Sequence, residues 1–367
     1  MQEDEKYMMR CLALARHGAA TVAPNPMVGA VVAHRGRIIG EGYHRRFGEA
    51  HAEVNAITSV RDEALLREAT LYVNLEPCSH YGKTPPCTDL ILRKHIPRVV
   101  VGCLDPYPEV SGRGIRILRE AGVEVVTGVM RQEAMALNRF FIIAQTQKRP
   151  CVILKWAQSA DGFIDRLRVT ASGKPEQLST PVTRRFVHKL RSEVAAIMVG
   201  THTVRLDNPS LTVRHWAGNS PVRVFIDRAL CIPSTCHLLD GSVPTLVFTG
   251  QSAVNRHHVE YIRLDFSQPA IPQMLHHLYE RQLYSLLVEG GAYLHNCFLE
   301  AGLWDEIQVE TSPVKLGEGV RAASVSAGAT AEWQRTIGFP ASQPASIVSV
   351  YSGKHLYTKK GEDTKIL

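Results

Sequence analysis

The sequence predicts an α/β protein built as two layered domains in series. Three observations lead there. At 367 residues the chain exceeds what one small hydrophobic core serves. Short β-branched runs alternate with amphipathic stretches along its length, the pattern of strands connected by helices. A polar, basic stretch at 138–149, closed by Pro150, breaks that alternation and puts a boundary near residue 148, giving domains 1–147 and 148–367.

In the first domain, Met8, Cys11, Leu12 and Ala15 recur at helical spacing, and Gly18 ends that helix. Pro24-Asn25-Pro26 cannot continue a helix and reads as a rigid loop. The apolar runs 28–33 and 37–42 flank His34-Arg35-Gly36 and predict a hairpin. A helix starts at His51, strands follow at 70–75, 98–102 and 124–127, and a helix covers 114–121. In the second domain, strands are expected at 151–157, 195–199, 222–227, 245–248 and 285–289, with helices at 183–193, 271–281 and 292–300. The runs 347–351 and 355–358 read as closing strands, and 359–367 as a mobile tail.

Hydrophobic residues make up 45% of the chain and charged residues 21%, an ordinary globular balance. The first residues are acidic and polar, unlike a targeting signal, and the longest apolar runs are too short to span a bilayer. A cytoplasmic location and no membrane partner are therefore expected. In a reducing compartment the eight cysteines are metal ligands where clustered; Cys11, Cys103, Cys151, Cys231, Cys236 and Cys297 read as small core residues. The net charge of +7 admits nucleic acid or a phosphorylated small molecule, but the cations are scattered, without a run or interleaved aromatics.

The chemistry concentrates between His51 and Cys87. His51-Ala52-Glu53 is followed, after a strand, by Glu76-Pro77-Cys78 and then Cys87. One imidazole and two thiols suit Zn²⁺ and leave a fourth tetrahedral position for water. Glu53, two residues from the histidine, is placed to move protons, the arrangement of zinc deaminases. Their usual second half is Pro-Cys-x-x-Cys, whereas here eight residues separate the two cysteines. That insertion offers donors, with Lys83 able to meet a phosphate as a point charge. A structural zinc would instead need His80 as a fourth ligand, leaving Glu53 without a task. If these ligands open helices, the helix ends favour thiolate on Cys78. In the second domain, Val288-Glu289-Gly290-Gly291 between strand and helix lets a phosphate approach backbone N–H groups. No Gly-x-Gly-x-x-Gly fingerprint accompanies it.

Pro24-Asn25-Pro26-Met27-Val28-Gly29, His51-Ala52-Glu53 and the whole stretch from Glu76 to Cys87 resemble the bifunctional deaminase/reductase family of riboflavin biosynthesis. The resemblance continues through Leu154-Lys155-Trp156-Ala157, Leu190-Arg191-Ser192, Asp207-Asn208-Pro209, Leu211-Thr212-Val213-Arg214, Val288 to Gly291 and Pro313 to Gly317. It implies a cytidine-deaminase-like three-layer domain followed by a dihydrofolate-reductase-like domain. Zinc would sit on His51, Cys78 and Cys87, with Glu53 as catalytic proton shuttle. Asn25, His44, Lys83, Thr84 and Asp105 would line the pyrimidine and phosphate pocket. Ala157, Thr203, Asp207 and Gly291 would hold NADPH; Arg191, Leu211, Arg214 and Glu289 would hold substrate.

The implied reaction is deamination of a diaminopyrimidinone ribosyl phosphate, then NADPH-dependent reduction of its ribosyl group to a ribityl chain. The expected partner is that phosphorylated pyrimidine rather than nucleic acid, and the expected assembly is a homo-oligomer. One departure stands out: where the family commonly carries Ser-x-Trp, this chain has Pro175-Glu176-Gln177-Leu178. Two other readings share parts of the pattern. A nucleic-acid base deaminase explains the zinc motif and the charge but not the second domain. A deaminase or zinc-stabilised regulatory protein with a degenerate second half explains the departure.

Overall fold

The computed structural model describes residues 2–81, 85–107, 111–168, 173–325, 333–337 and 346–353, the segment 333–337 by its backbone. The chain divides into two compact units, Met1–Lys148 and Arg149–Leu367.

The first unit is a five-stranded sheet between two helical layers. Its strands are β1 (Gly29–His34), β2 (Arg37–Tyr43), β3 (Thr70–Leu75), β4 (Arg98–Cys103) and β5 (Glu124–Thr127), in spatial order β2-β1-β3-β4-β5. The β1–β2 and β1–β3 pairs are antiparallel; β3, β4 and β5 run parallel. Alternation along β1 explains the layering, because successive side chains leave opposite faces of a strand. Val31 and Ala33 pack with Tyr7, Met8 and Cys11 of α1 (Gln2–Ala15). Ala30 and Val32 pack with Ala52, Ala56 and Ile57 of α2 (Ala52–Thr58), with Ile91 of α3 (Cys87–Arg93), and with Ile115 and Leu118 of α4 (Arg113–Glu120). A Cβ at Gly42 would lie 2.6 Å from the Ala56 nitrogen. That glycine lets α2, which carries Glu53, lie directly on β2.

The polar, basic stretch at 138–149 is mostly helical, and a second helix precedes it. The two are α5 (Arg131–Leu137) and α6 (Arg139–Gln147), which bury Ala134, Ile143 and Ala144. The apolar runs Ala134-Met135-Ala136-Leu137 and 140–144 carry these helices, and the cations and amides that flank them obscured the pattern.

The second unit is built on a nine-stranded sheet. Its strands are β6 (Cys151–Gln158), β8 (Ala196–Val199), β9 (Val222–Ile226), β10 (Thr245–Thr249), β11 (Val259–Arg263), β12 (Ser285–Gly290), β13 (Glu306–Thr311), β15 (Trp333–Ile337) and β16 (Ser346–Ser352). Their order is β11-β10-β9-β8-β12-β6-β13-β16-β15, and β7 (Phe163–Asp165) pairs separately with β14 (Val320–Arg321). Strands β11 to β13 are parallel, and β16 closes the sheet antiparallel to both β13 and β15. Helices α7 (Pro181–Glu193), α8 (Thr201–Asp207), α9 (Ala270–Glu280) and α10 (Ala292–Glu300) connect the parallel strands. The start of α7 follows from its residues: Thr180 caps the Thr183 N–H at 3.1 Å, and Pro181 takes the first turn. The closing run 347–351 falls within β16; 355–358 and the tail lie outside the described residues.

Both units are thus α/β. Among the described residues, no helix is long and apolar enough to cross a membrane.

Candidate active sites

In the first unit, the turn before α2 and the loop after β3 bring the clustered donors together. His51 is the N-cap residue of α2, with extended backbone angles and no capping bond from its side chain. Its Nδ1 lies 3.5 Å from Cys78 Sγ and 3.4 Å from Cys87 Sγ. Zn–S bonds near 2.3 Å and Zn–N bonds near 2.0 Å put tetrahedral donor edges at about 3.5–3.8 Å. The three donors, all within 4.8 Å of one another, therefore fit a zinc ion on distance as well as on softness. Exposed His80 is outside this group, which leaves three protein ligands among the described residues.

One detail differs from the expectation that both ligands open helices. Cys78 sits in the loop after β3, and Cys87 is the first residue of α3. Cys78 nevertheless benefits from that helix end, because its Sγ accepts the Cys87 N–H at 3.2 Å. Cys87 and His51 together draw the Cys78 thiol down to about 4, against the opposing effect of burial, while the Cys87 thiol is pushed up by its Cys78 neighbour and by burial. The interaction with Cys78 lifts the His51 imidazole to about 9. Glu53, only 3% exposed in the first turn of α2, is pushed up to about 7, chiefly by burial and then by the Cys78 charge.

Around these groups the remaining expected residues fall as follows. Asn25 Nδ2 donates to His44 Nε2 at 3.1 Å, and His44 Nδ1 donates to the Ala50 carbonyl at 3.1 Å. Those partners define a neutral imidazole, and burial holds its pKa below the ordinary value. The His44 ring stands edge-on to His51 at 5.6 Å. Asp105 follows the end of β4, half buried, with its pKa raised by burial, and feels the Cys78 charge. Lys83 and Thr84 lie outside the described residues. Tyr81, on the same insertion, donates its hydroxyl to Asp89 of α3 at 2.7 Å.

Three polar residues not singled out from the sequence hold this site in shape. Glu76, 6% exposed, accepts the backbone N–H groups of Asp105 (3.1 Å), Gly112 (2.9 Å), Gly114 (2.9 Å) and Ile115 (3.4 Å). Asn74 accepts the Gly29 N–H and donates to the Met27 carbonyl, while Asn138 grips both backbone groups of Met27. Together they fix the loop that carries Asn25. A buried polar residue at a strand end was the available signal, Glu76 directly before Pro77-Cys78 being the clearest case.

In the second unit, the carboxyl ends of the parallel strands open onto a cleft of ≈ 1570 Å³. Ligands of open α/β sheets gather at such strand ends. Ala157, Thr203, Asp207, Gly291, Arg191, Arg214 and Glu289 line it. Leu211 is instead buried, 3% exposed at φ 54°, and is not among the lining residues. Arg191 makes a bidentate pair with Glu289 at 2.8 and 2.6 Å and donates to the Thr212 carbonyl at 3.2 Å. Asp207 accepts from Arg168 at 2.6 Å. His188 accepts the Arg214 N–H at 3.0 Å, and burial pushes its pKa down to about 4.

The Gly290-Gly291 turn fits a dinucleotide. A Cβ on either glycine would come within 3.3 Å of Thr203 Oγ1, and Gly291 caps the nine-residue α10 whose free N–H groups open there. Arg166, Arg168, Arg184 and Arg228 add cations to the lining, and the volume exceeds the roughly 300–1,000 Å³ of ordinary small-molecule pockets.

The departure at 175–178 is filled by polar tethers. Glu176 accepts from Arg166 at 3.1 Å and donates its N–H to Asp165 at 3.0 Å; Gln177 accepts from Arg184 at 3.1 Å. Ser179 donates to Glu310 at 2.6 Å, and the whole segment still lines the cleft. Among the cysteines expected in the core, Cys231 is exposed, donating its backbone N–H to Asp227, and Cys297 is half buried.

A three-donor metal centre with a buried glutamate, followed by a cleft with a glycine phosphate turn, defines a fused zinc-dependent deaminase and nucleotide-dependent reductase. The family of the cytidine and deoxycytidylate deaminase zinc-binding region matches residues 1–103, and the RibD C-terminal domain family matches residues 150–336. The chain is 41% identical to the riboflavin biosynthesis protein RibD of Bacillus amyloliquefaciens over 89% of its own length and 88% of that protein's. It is 36% identical to the RibD protein of Escherichia coli, covering 87% of this chain and 90% of that one. A Thermotoga maritima crystal structure, described as a diaminohydroxyphosphoribosylaminopyrimidine deaminase/5-amino-6-(5-phosphoribosylamino)uracil reductase, superposes with a TM-score of 0.82. It is 38% identical and covers 96% of this chain and 99% of that one. The chain belongs to the RibD family of riboflavin-biosynthesis enzymes. It is a deaminase and reductase, with Zn²⁺ as the cofactor of the first activity and NADPH of the second.

Proposed function

We propose that residues 1–147 hydrolyse the 2-amino group of 2,5-diamino-6-ribosylamino-4(3H)-pyrimidinone 5′-phosphate, and that residues 148–367 reduce the ribosyl group of the product. The observation that carries the first step is the convergence of His51, Cys78 and Cys87 beside buried Glu53. When bound to those three ligands, zinc supplies a water activated at neutral pH. Glu53 would accept a proton from the attacking water and pass it to the leaving nitrogen, so that the ring C–NH₂ would become a carbonyl as ammonia departed. The neutral His44, held by Asn25 and Ala50, orients the ring, and Asp105 meets its donors from the strand end. Lys83 and Thr84 are assigned to the phosphate.

When bound, NADPH would supply the hydride for the ribosyl C1′, whose bond to the ring oxygen would open as that oxygen gained a proton. The Gly291 turn, Thr203, Ala157 and Asp207 hold the cofactor. Arg214 and the Arg191–Glu289 pair hold the substrate, and buried Leu211 contributes by shaping the segment that leads to Arg214. Because Glu289 and Thr212 already engage Arg191, Arg214 is the better placed phosphate ligand. All eight cysteines are unpaired, in keeping with a cytoplasmic enzyme. We assign a homo-oligomeric assembly, which light scattering on the purified protein tests.

The deciding experiment follows substrate mass with zinc-loaded protein, first without and then with NADPH. Replacement of one NH by O without NADPH, then gain of two hydrogens with it, is the expected result. Ammonia release without later reduction would remove the second assignment.

A further inference from the structure

Glu310 carries an inference that builds on the reductase reading above. It lies on β13, 2% exposed, with Oε2 accepting from Ser179 and Oε1 buried without a hydrogen-bond partner. A buried carboxylate oxygen left unmatched is costly and calls for an explanation.

The sheet register supplies one. Glu310 stands opposite Ala157 and Gln308 opposite Lys155, while Val288 stands opposite Leu154, which brings Glu289 level with Lys155. Leu154, Trp156, Val288 and Val309 all pack into the core on one face. Their sequence neighbours Lys155, Ala157, Glu289 and Glu310 therefore leave the opposite face. Lys155, Ala157 and Glu289 line the cleft there, as does Ser179. Lys155 thus has an acid on each neighbouring strand.

We propose that Glu310 is a positioning residue of the reductase: it ties the 175–179 segment to the sheet through Ser179 and, with Glu289, keeps the Lys155 ammonium charged in the cleft. The charged groups around Lys155 are Glu289 of β12, Glu310 of β13 and Arg191 of α7, and buried His295 of α10, packed against Trp156, also feels the Lys155 charge. Burial lowers the Lys155 pKa and Arg191 adds to that, while the two acids oppose it. The tether anchors Ser179, which directly follows the 175–178 segment where this chain lacks the family's Ser-x-Trp.

Two variants of the full chain separate the two roles. Glu310→Gln retains an acceptor for Ser179 and removes the charge, whereas Ser179→Ala removes the tether and keeps the charge. With the deaminated pyrimidine as substrate, Glu310→Gln shifts the alkaline limb of kcat down by about one pH unit. Ser179→Ala raises KM and leaves that limb in place. Independently of turnover, an amine-acylating reagent modifies Lys155 about tenfold faster in Glu310→Gln at a fixed pH.

An unchanged limb and an unchanged labelling rate in Glu310→Gln, or loss of NADPH binding in that variant, would overturn the proposal. Absence of NADPH oxidation by the wild-type protein would instead count against the reductase reading, with the Lys155 labelling comparison still deciding the role of Glu310.

Discussion

Arg191 and Glu289, both expected to touch substrate, bind each other across the reductase cleft, each with a side chain 12% exposed. Burial works to raise the Glu289 pKa, but Arg191, helped by Lys155, outweighs it and holds the carboxylate below its ordinary value. Arg191→Ala leaves a buried charge without its main partner, so the second unit loses about 3–5 kcal/mol of stability. The double variant with Glu289→Gln regains part of that loss. Denaturant unfolding of the three proteins measures it, and equal stabilities for the single variant and wild type would contradict the pair's role.

Glu53→Gln keeps the three metal ligands and removes the proton carrier. Zinc content stays at one per chain, and ammonia release falls by about 10²–10⁴-fold. Metal analysis alongside an ammonia assay checks this. A zinc-loaded variant at the wild-type rate would take the proton role away from Glu53.

Zinc removal should divide the two activities. A strong chelator, or Cys78→Ser, abolishes ammonia release, while NADPH oxidation on the already deaminated substrate continues. Parallel loss of both would show that the metal also supports the second unit.

Glu76 accepts backbone N–H groups from both ends of the segment that carries Asp105. Glu76→Gln offers one carboxamide oxygen in place of two acceptors, leaving buried donors unmet at about 1–3 kcal/mol each. Faster hydrogen exchange at Gly112 and Gly114, together with a raised KM for deamination, is the expected outcome. Wild-type protection at those amides would refute it.

Acid stability of the first unit depends on Asp4. Arg98 donates to both its oxygens, at 2.9 and 3.1 Å, and Tyr72 donates at 3.0 Å. The Arg98 hydrogen bond in particular, against some burial, lowers the Asp4 pKa. A carboxylate with a depressed folded-state pKa stabilises above its unfolded pKa of about 3.9 and loses that contribution as pH falls through the folded value. Asp4→Asn therefore lowers the melting temperature at neutral pH and converges on wild type in acid. A gap that stays constant down to strongly acidic pH would be inconsistent with this pairing.

Legibility from sequence followed the range of the interactions. The cluster of His51, Cys78 and Cys87 was readable because metal ligation demands particular residue types in a definite order. The strands at Thr70–Leu75 and Cys151–Gln158 were readable because burial on both faces leaves near-continuous apolar runs. Helices α5 and α6 were not, since each is short and its apolar run is flanked by cations and amides that read as a linker.

The chain's own residues therefore determined the α/β class, the zinc donor set and the glycine turn that opens α10. Only the tertiary structure decided which polar groups meet across long sequence distances. It gave Glu76 four backbone partners, paired Arg191 with Glu289, buried Leu211, and placed Glu289 and Glu310 on the strands either side of Lys155. Sheet order and register bring such groups within a few ångströms, and neither is encoded in the local periodicity of any one segment.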